Sequence, residues 1–278
     1  VASDKVQAIR DRTEAQSLVT KTLAGAAAEL VKNDPALVKR AAEAFIAKEI
    51  GHQHNRETIA FKAIEHLKET PDAQTAKPDD DWLNVFARHA QEASSERMQD
   101  FWSKILAGQL RRANSFSLQT LRFASELDES TAALFEKWSS HVISGSVIAF
   151  PPNVGPQFVE LIQLEDFGLF TGVVAPLSNA IDDKQIPDTG PFSIIFNFRS
   201  HNVVVRIRKP FSMNYRSAIL TRIGRELFPI TKTPSTMEIV RAFVNDLPKD
   251  NVVHITALST ATQPPLQELI WKEQKVQH

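Results

Sequence analysis

Apolar residues recur at helical spacing through the first seventy positions. Val6, Ile9, Val19, Leu23, Leu30 and Val31 form one series. Asn33-Asp34-Pro35 then breaks it, with Asp34 placed to cap a second helix and Pro35 at that helix's first position. Leu37, Val38, Ala41, Phe45 and Ile46 line one face of the second helix, and the pattern resumes at Ile59, Ala63, Ile64 and Leu67. Two long helices are expected, the second interrupted near Gly51. Their apolar stripe is narrow and much of it is alanine, which suits a helical hairpin or coiled coil that must find a partner for its exposed face.

Residues 71–81 read as a linker with two prolines and an acidic end, Asp79-Asp80-Asp81. Aspartates at this place satisfy the free N–H groups of a following helix and oppose its dipole, a better reading than a divalent-ion site. From Trp82 the spacing is strongly helical. Ser94-Ser95-Glu96 supplies the next cap, and Met98, Phe101, Trp102, Ile105 and Leu106 share one face. Gly108 is placed as the left-handed residue that ends this helix. A third helix is expected from Ser117 and a fourth after Asp128, with Leu134, Phe135, Trp138 and Val142 inward. Residues 82–150 are thus a tryptophan-rich bundle.

The pattern changes at Pro151-Pro152 and Gly155-Pro156. A short helix from Phe158 to Phe167 ends at Gly168, and a strand through Val173 and Val174 follows. Residues 177–191 read as a polar loop, and Phe192–Phe198 with Val203–Ile207 alternate as a β-hairpin. Thr221 caps a short helix, a longer one spans Ser235–Leu247, Val252–Leu258 is a strand, and a final helix after Pro264-Pro265 docks Leu269, Ile270 and Trp271. The expected fold is α+β and mainly α. It has long helices in 1–70, a linker in 71–81, a bundle in 82–150 and an α+β domain with a winged-helix-like hairpin in 151–278.

Composition narrows the choices without naming a chemistry. The 278 residues are 42% apolar and 23% charged, with a formal net charge of −1, ordinary for a globular protein and far from a basic nucleic-acid binder. The chain has no cysteine, which removes disulfides, thiol catalysis and cysteine metal sites. No apolar run reaches the roughly 18 residues that suggest a transmembrane helix. A cytoplasmic location is the expectation. Val1-Ala2-Ser3-Asp4 is neither an initiator nor a signal sequence, so a fragment or processed form is expected, and membrane contact would need a segment upstream of Val1.

One series of residues is specific enough to suggest relatives. Asp80-Asp81-Trp82, Met98-Gln99, Trp102 with Ile105-Leu106-Ala107-Gly108, Ser115-Phe116-Ser117 and Thr120-Leu121 together resemble an uncharacterised bacterial family, domain of unknown function 2806. Leu220-Thr221, Gly224 and Glu226-Leu227 fit a later segment of that family, as does Leu164-Glu165-Asp166-Phe167-Gly168-Leu169, so the resemblance covers roughly residues 55–228. Gln109-Leu110-Arg111-Arg112-Ala113-Asn114 departs from it, where relatives have an acidic residue followed by Pro-Gly. The family carries no established activity, so the resemblance implies architecture. A fainter likeness to abortive-infection alpha proteins points toward phage defence.

Candidate chemistry is sparse. His52 and His54 fall on different faces of a helix, and the remaining histidines have no metal-ligand spacing. No nucleophile elbow or phosphate-cradling glycine loop occurs, so no catalytic residue, metal or cofactor is assigned. Arg199, Arg206, Arg208 and Lys209 lie on or beside the hairpin, and with Arg111 and Arg112, and with Arg222 and Arg225 near them, they are the candidate contacts to nucleic acid or a partner. With a near-neutral net charge, the solvated face of an alternating strand is the better reading of Arg206 and Arg208. The expectation is a non-enzymatic interaction or scaffold protein that forms a homo-oligomer through residues 1–70 and holds an unidentified protein partner. The alternative is a DNA-binding regulator or defence component that uses the hairpin.

Overall fold

The computed structural model describes residues 2–34, 36–68, 77–181, 192–209 and 212–273. Pro35, most of the expected linker, the greater part of the expected 177–191 loop, and the side chains of Val6, Ile9 and Val19 lie outside the described set.

Helices α1 (Ala2–Asn33) and α2 (Leu37–Lys68) have 32 residues each, or about 48 Å at the helical rise. Asp34 accepts a hydrogen bond from the Ala36 N–H at 3.1 Å, the N-terminal role expected of it. The expected interruption at Gly51 does not occur, and α2 runs straight through it. One glycine in a helix costs only about 1 kcal/mol relative to alanine, too little to stop a helix flanked by strong formers.

The bundle follows the sequence closely. Helix α3 (Asp80–Ala90) is capped by Asp79, which accepts from the Asp81 and Trp82 N–H groups, so the acidic run begins a helix. Ser95, Ser117 and Asp128 cap α4 (Glu96–Arg111), α5 (Leu118–Glu126) and α6 (Glu129–Ser139) in the same manner. Trp82 stacks on Phe86, and Phe86 meets Trp102 edge-on. The Trp82 indole N–H donates to the Phe116 carbonyl at 2.8 Å in the buried core. Gly108 does not end α4, which continues to Arg111; the left-handed residue is Asn114, with φ 61°. Gly108 is glycine for room, because a Cβ there would stand 2.7 Å from the Phe116 ring.

Beyond the bundle, β1 (Val147–Ala149), β2 (Phe170–Thr171) and β3 (Leu177–Ile181) all pair antiparallel with β6 (Met213–Leu220). The strand expected through Val174 stops at Thr171. The Glu165 carboxylate accepts from the Gly172, Val173 and Val174 N–H groups at 2.7, 3.1 and 3.0 Å, which turns the chain out of the sheet. Glu165 is on α7 (Pro156–Asp166), the helix expected to end at Gly168, whose φ is 77°. Leu161 and Leu164 of α7 join the bundle's core, together with Leu220 of β6.

A second sheet has the order β4-β5-β7-β8, all antiparallel, from β4 (Ser193–Asn197), β5 (His201–Ile207), β7 (Val252–Ser259) and β8 (Gln267–Lys272). Helix α9 (Met237–Asp246) packs Val240, Phe243 and Val244 into its core. The segment after Pro264-Pro265 is strand β8, not a helix. Pairing with β7 supplies its backbone partners, and Ile270 and Trp271 still reach the core while Leu269 stays exposed. The β4–β5 hairpin is no free wing, because β7 occupies the other edge of β5.

Helix α8 (Arg222–Leu227) and a 3-10 turn (Phe228–Ile230) tie this half to the bundle. Thr221 donates its hydroxyl to Gly168 O at 2.6 Å and caps α8 by accepting from the Gly224 N–H at 3.1 Å. Leu220 and Leu227 are buried. Glu226 accepts from the Ser117 N–H and the Thr120 hydroxyl, both at 2.6 Å. Each fixed residue of the Leu-Thr-x-x-Gly-x-Glu-Leu segment thus has a packing or hydrogen-bonding task.

Candidate functional site

Among the described residues, two features of the folded chain stand without a partner. The first is the overhang of the long helices. Ile59 and Ala63 of α2 are buried against the bundle, where α2 lies along α4. Val38 and Phe45 occupy the same helical face further toward the N-terminus, and they stand 54% and 65% exposed. A different face carries Ile46, Ile50, Phe61 and Ile64, all more than half exposed. On α1, Leu18, Leu23 and Leu30 are equally open. The charges beside them pair within their own helices, as Lys39 does with Glu43 at 3.8 Å and Lys32 with Glu29 at 3.9 Å.

The second feature is a cleft of about 550 Å³ between the end of α4, the turn into α5, α8 and the 3-10 turn. Ala107, Gly108, Phe116 and Ile230 form its apolar lining, and Lys104, Arg111, Arg112, Arg222, Arg225 and Lys232 surround it. Two of these cations have carboxylate partners. Lys104 pairs with Asp100 at 2.6 Å, and Arg222 with Glu226 at 2.8 Å. Burial would raise the pKa of Glu226, but hydrogen bonds from Ser117, Thr120 and Arg222 outweigh it and hold the carboxyl below its ordinary value. Asp100 is likewise held low: burial opposes, while Lys104 and His66 prevail. Arg111 donates to the His66 carbonyl, and its Nε is buried without an acceptor. Arg225 donates to the Leu220 carbonyl at 2.9 Å. Among the described residues, Arg111, Arg112, Arg225 and Lys232 form no ion pair.

The structure separates the sequence-named cations into two groups. Arg111 and Arg112 meet Arg222 and Arg225 at the cleft. The hairpin residues do not join them there. Arg199 lies over the Phe228 ring and donates to the Phe228 carbonyl at 2.9 Å and to Thr231. Burial lowers its pKa. Arg208 pairs with Glu273, Lys209 is exposed, and Arg206 is half-buried on β5 opposite Ser193 and His254. The sequence reading did not single out Lys104 or Lys232, which have no motif and reach the cleft only through tertiary packing.

Among the described residues no cluster of three or more His, Asp or Glu side chains could hold a metal ion. Among the same residues no helix is long and apolar enough to cross a membrane. No curated protein and no solved structure matches the chain. The segment Leu220–Leu227 lies outside the residues matched by a family model. Residues 39–147, which run from α2 through the bundle to β1, match the family model described as protein of unknown function (DUF2806), and over this stretch the chain is similar to that family.

Proposed function

We propose that the protein is a non-enzymatic interaction or scaffold protein whose α1–α2 overhang joins a second copy of the chain, and that the assembly holds a further protein partner. The observation that carries this reading is the α2 stripe itself. The face that packs on the bundle at Ile59 and Ala63 continues beyond the bundle as solvent-exposed Val38 and Phe45. Exposed apolar patches of this kind mark interaction sites.

The area is adequate for association. Nine large apolar side chains on α1 and α2 are at least 52% exposed. At about 25 cal/mol per Å² and about 1.5–3 kcal/mol per buried side chain, they offer together, over more than one helix face, on the order of 500 Å² of apolar surface. A standard interface takes about 800 Å² from each partner, and alanines and the stems of neighbouring Lys and Glu residues can supply the rest. A second copy fits because its helices present the same apolar stripe beside charges already paired within each helix. The phage-defence setting expected from the resemblance rests on that resemblance alone.

The absence of cysteine provides a clean test. Single cysteines placed at Phe45, Ile50 and Phe61 are expected to yield covalent dimers with a bis-maleimide at one position or more. A cysteine at exposed Thr260 is the control and is expected to yield none. Failure at all three helix positions, or equal yield at Thr260, contradicts the reading. For the alternative, DNA binding through the hairpin, only Arg206 and Lys209 have cationic groups not engaged in a hydrogen bond or ion pair with other described residues.

A further inference from the structure

The basic cleft is a site of its own, remote in kind from the apolar overhang. We propose that the cleft between α4 and α8 binds a small ligand bearing two or more phosphate groups, of nucleotide size, through Arg111, Arg112, Arg225 and Lys232.

Charge is the first ground. The chain as a whole carries −1, yet six cations line this cleft and Glu226 is the one carboxylate among its described lining residues. Arg222 neutralises Glu226, and Lys104 is taken by Asp100 just outside. Among the described residues, the other four cations have no carboxylate partner. Holding them together costs repulsion that a bound polyanion would relieve.

Shape is the second ground. A volume of about 550 Å³ falls within the roughly 300–1,000 Å³ range of small-molecule sites. Apolar Ala107, Phe116 and Ile230 give a non-phosphate part of the ligand a surface to cover. Arg111, Arg112 and Arg225 all line the cleft, and guanidinium groups match the geometry of phosphate oxygens.

Both grounds favour a discrete ligand over a nucleic-acid strand. A strand needs phosphate contacts strung along a surface. Here two of the four hairpin cations are diverted, Arg199 to the Phe228 and Thr231 carbonyls and Arg208 to Glu273, and neither of the other two, Arg206 and Lys209, lines the cleft.

The test is calorimetric titration of the full chain with ADP, pyrophosphate and adenosine, each up to about 1 mM. One-to-one binding of ADP and of pyrophosphate, with none of adenosine, is expected. The double variant Arg112→Glu, Lys232→Glu is expected to weaken ADP binding at least about tenfold, the scale of two lost charge-assisted contacts. Both side chains are exposed and form no ion pair with another described residue, so the variant should keep the parent's melting temperature, and circular dichroism checks that. Three results would each overturn the proposal: no heat with either phosphate ligand, an affinity unchanged in the double variant, or retention of a single-stranded oligonucleotide without any binding of ADP.

Discussion

Replacing Gly224 with alanine sets a methyl group against main chain. A Cβ at this position would lie 2.2 Å from the Leu169 carbonyl oxygen and 2.9 Å from Leu220 Cδ2. The first distance is roughly 1 Å short of a normal carbon–oxygen contact. The obstructing atom cannot rotate away, since the Leu169 carbonyl accepts from the Thr221 N–H at 3.0 Å. Either α8 or the Leu169 strand end must shift, which loosens buried Leu220 and Leu227 and lengthens that hydrogen bond. Overpacking costs about 1–3 kcal/mol, the disturbed hydrogen bond about 1 kcal/mol, and the higher helix propensity of alanine returns about 1 kcal/mol. The expected loss is about 2–3 kcal/mol at the upper end of that range, or a melting temperature about 4–12 °C lower for a domain of this size. Differential scanning fluorimetry at fixed protein concentration measures it. Gly51→Ala is the internal control, because nothing lies within 4 Å of that Cβ and the same substitution there should stabilise by about 0.4–1 kcal/mol. Equal shifts for Gly224→Ala and Gly51→Ala would refute the close-approach account.

Trp82→Phe removes the indole donor from the buried Phe116 carbonyl and should cost about 1–3 kcal/mol in urea unfolding, since that acceptor loses its partner. Glu226→Gln withdraws the charge that gathers Ser117, Thr120 and Arg222 and should cost about 2 kcal/mol, with hydrogen exchange rising first at the start of α5. Acid sensitivity should come in two stages. Burial lowers the pKa of His141 and outweighs the opposing hydrogen bond to the Lys137 backbone, so its contribution is present above about pH 6.5 and declines as pH falls below that value. The carboxylate of Asp128 is held down to about 2 by hydrogen bonds from Ser130 and Thr131, and Glu226 is also held low. Their contribution is present above about pH 4 and is lost as pH falls toward 2. Replacing His141 with glutamine should reduce the upper stage of a stability-against-pH curve, which His89, its pKa also lowered by burial, shares, and leave the lower one.

The bundle was legible because its signals are local. Asp79, Ser95, Ser117 and Asp128 each cap the helix that follows them, and Trp102 and Ile105 lie on the face their spacing demands. The sheets were harder. Strand β6 holds Asn214, Arg216 and Ser217 and reads poorly as a strand, yet β1, β2 and β3 all pair with it. Its stability comes from those neighbours rather than its own propensity. The two prolines before β8 suggested a helix start, and pairing with β7 overrode them. Gly108 was read as a helix end because glycine most often serves there, whereas its contact with Phe116 is visible only once the α4–α5 turn is folded. The cleft was half legible. Arg111 and Arg112 stood out as a pair, but their juxtaposition with Arg225 and Lys232 arises from α8 docking beside α4, across a sequence gap no periodicity spans.

Sedimentation velocity of the intact chain over a rising concentration series tests the central claim most directly. Self-association through the overhang predicts a mass of at least two chains of 31.1 kDa, reduced to one chain in the Phe45→Glu, Ile50→Glu double variant while its circular dichroism stays that of the parent. A 31.1 kDa species at every concentration, or an oligomer that the double variant leaves intact, would contradict it.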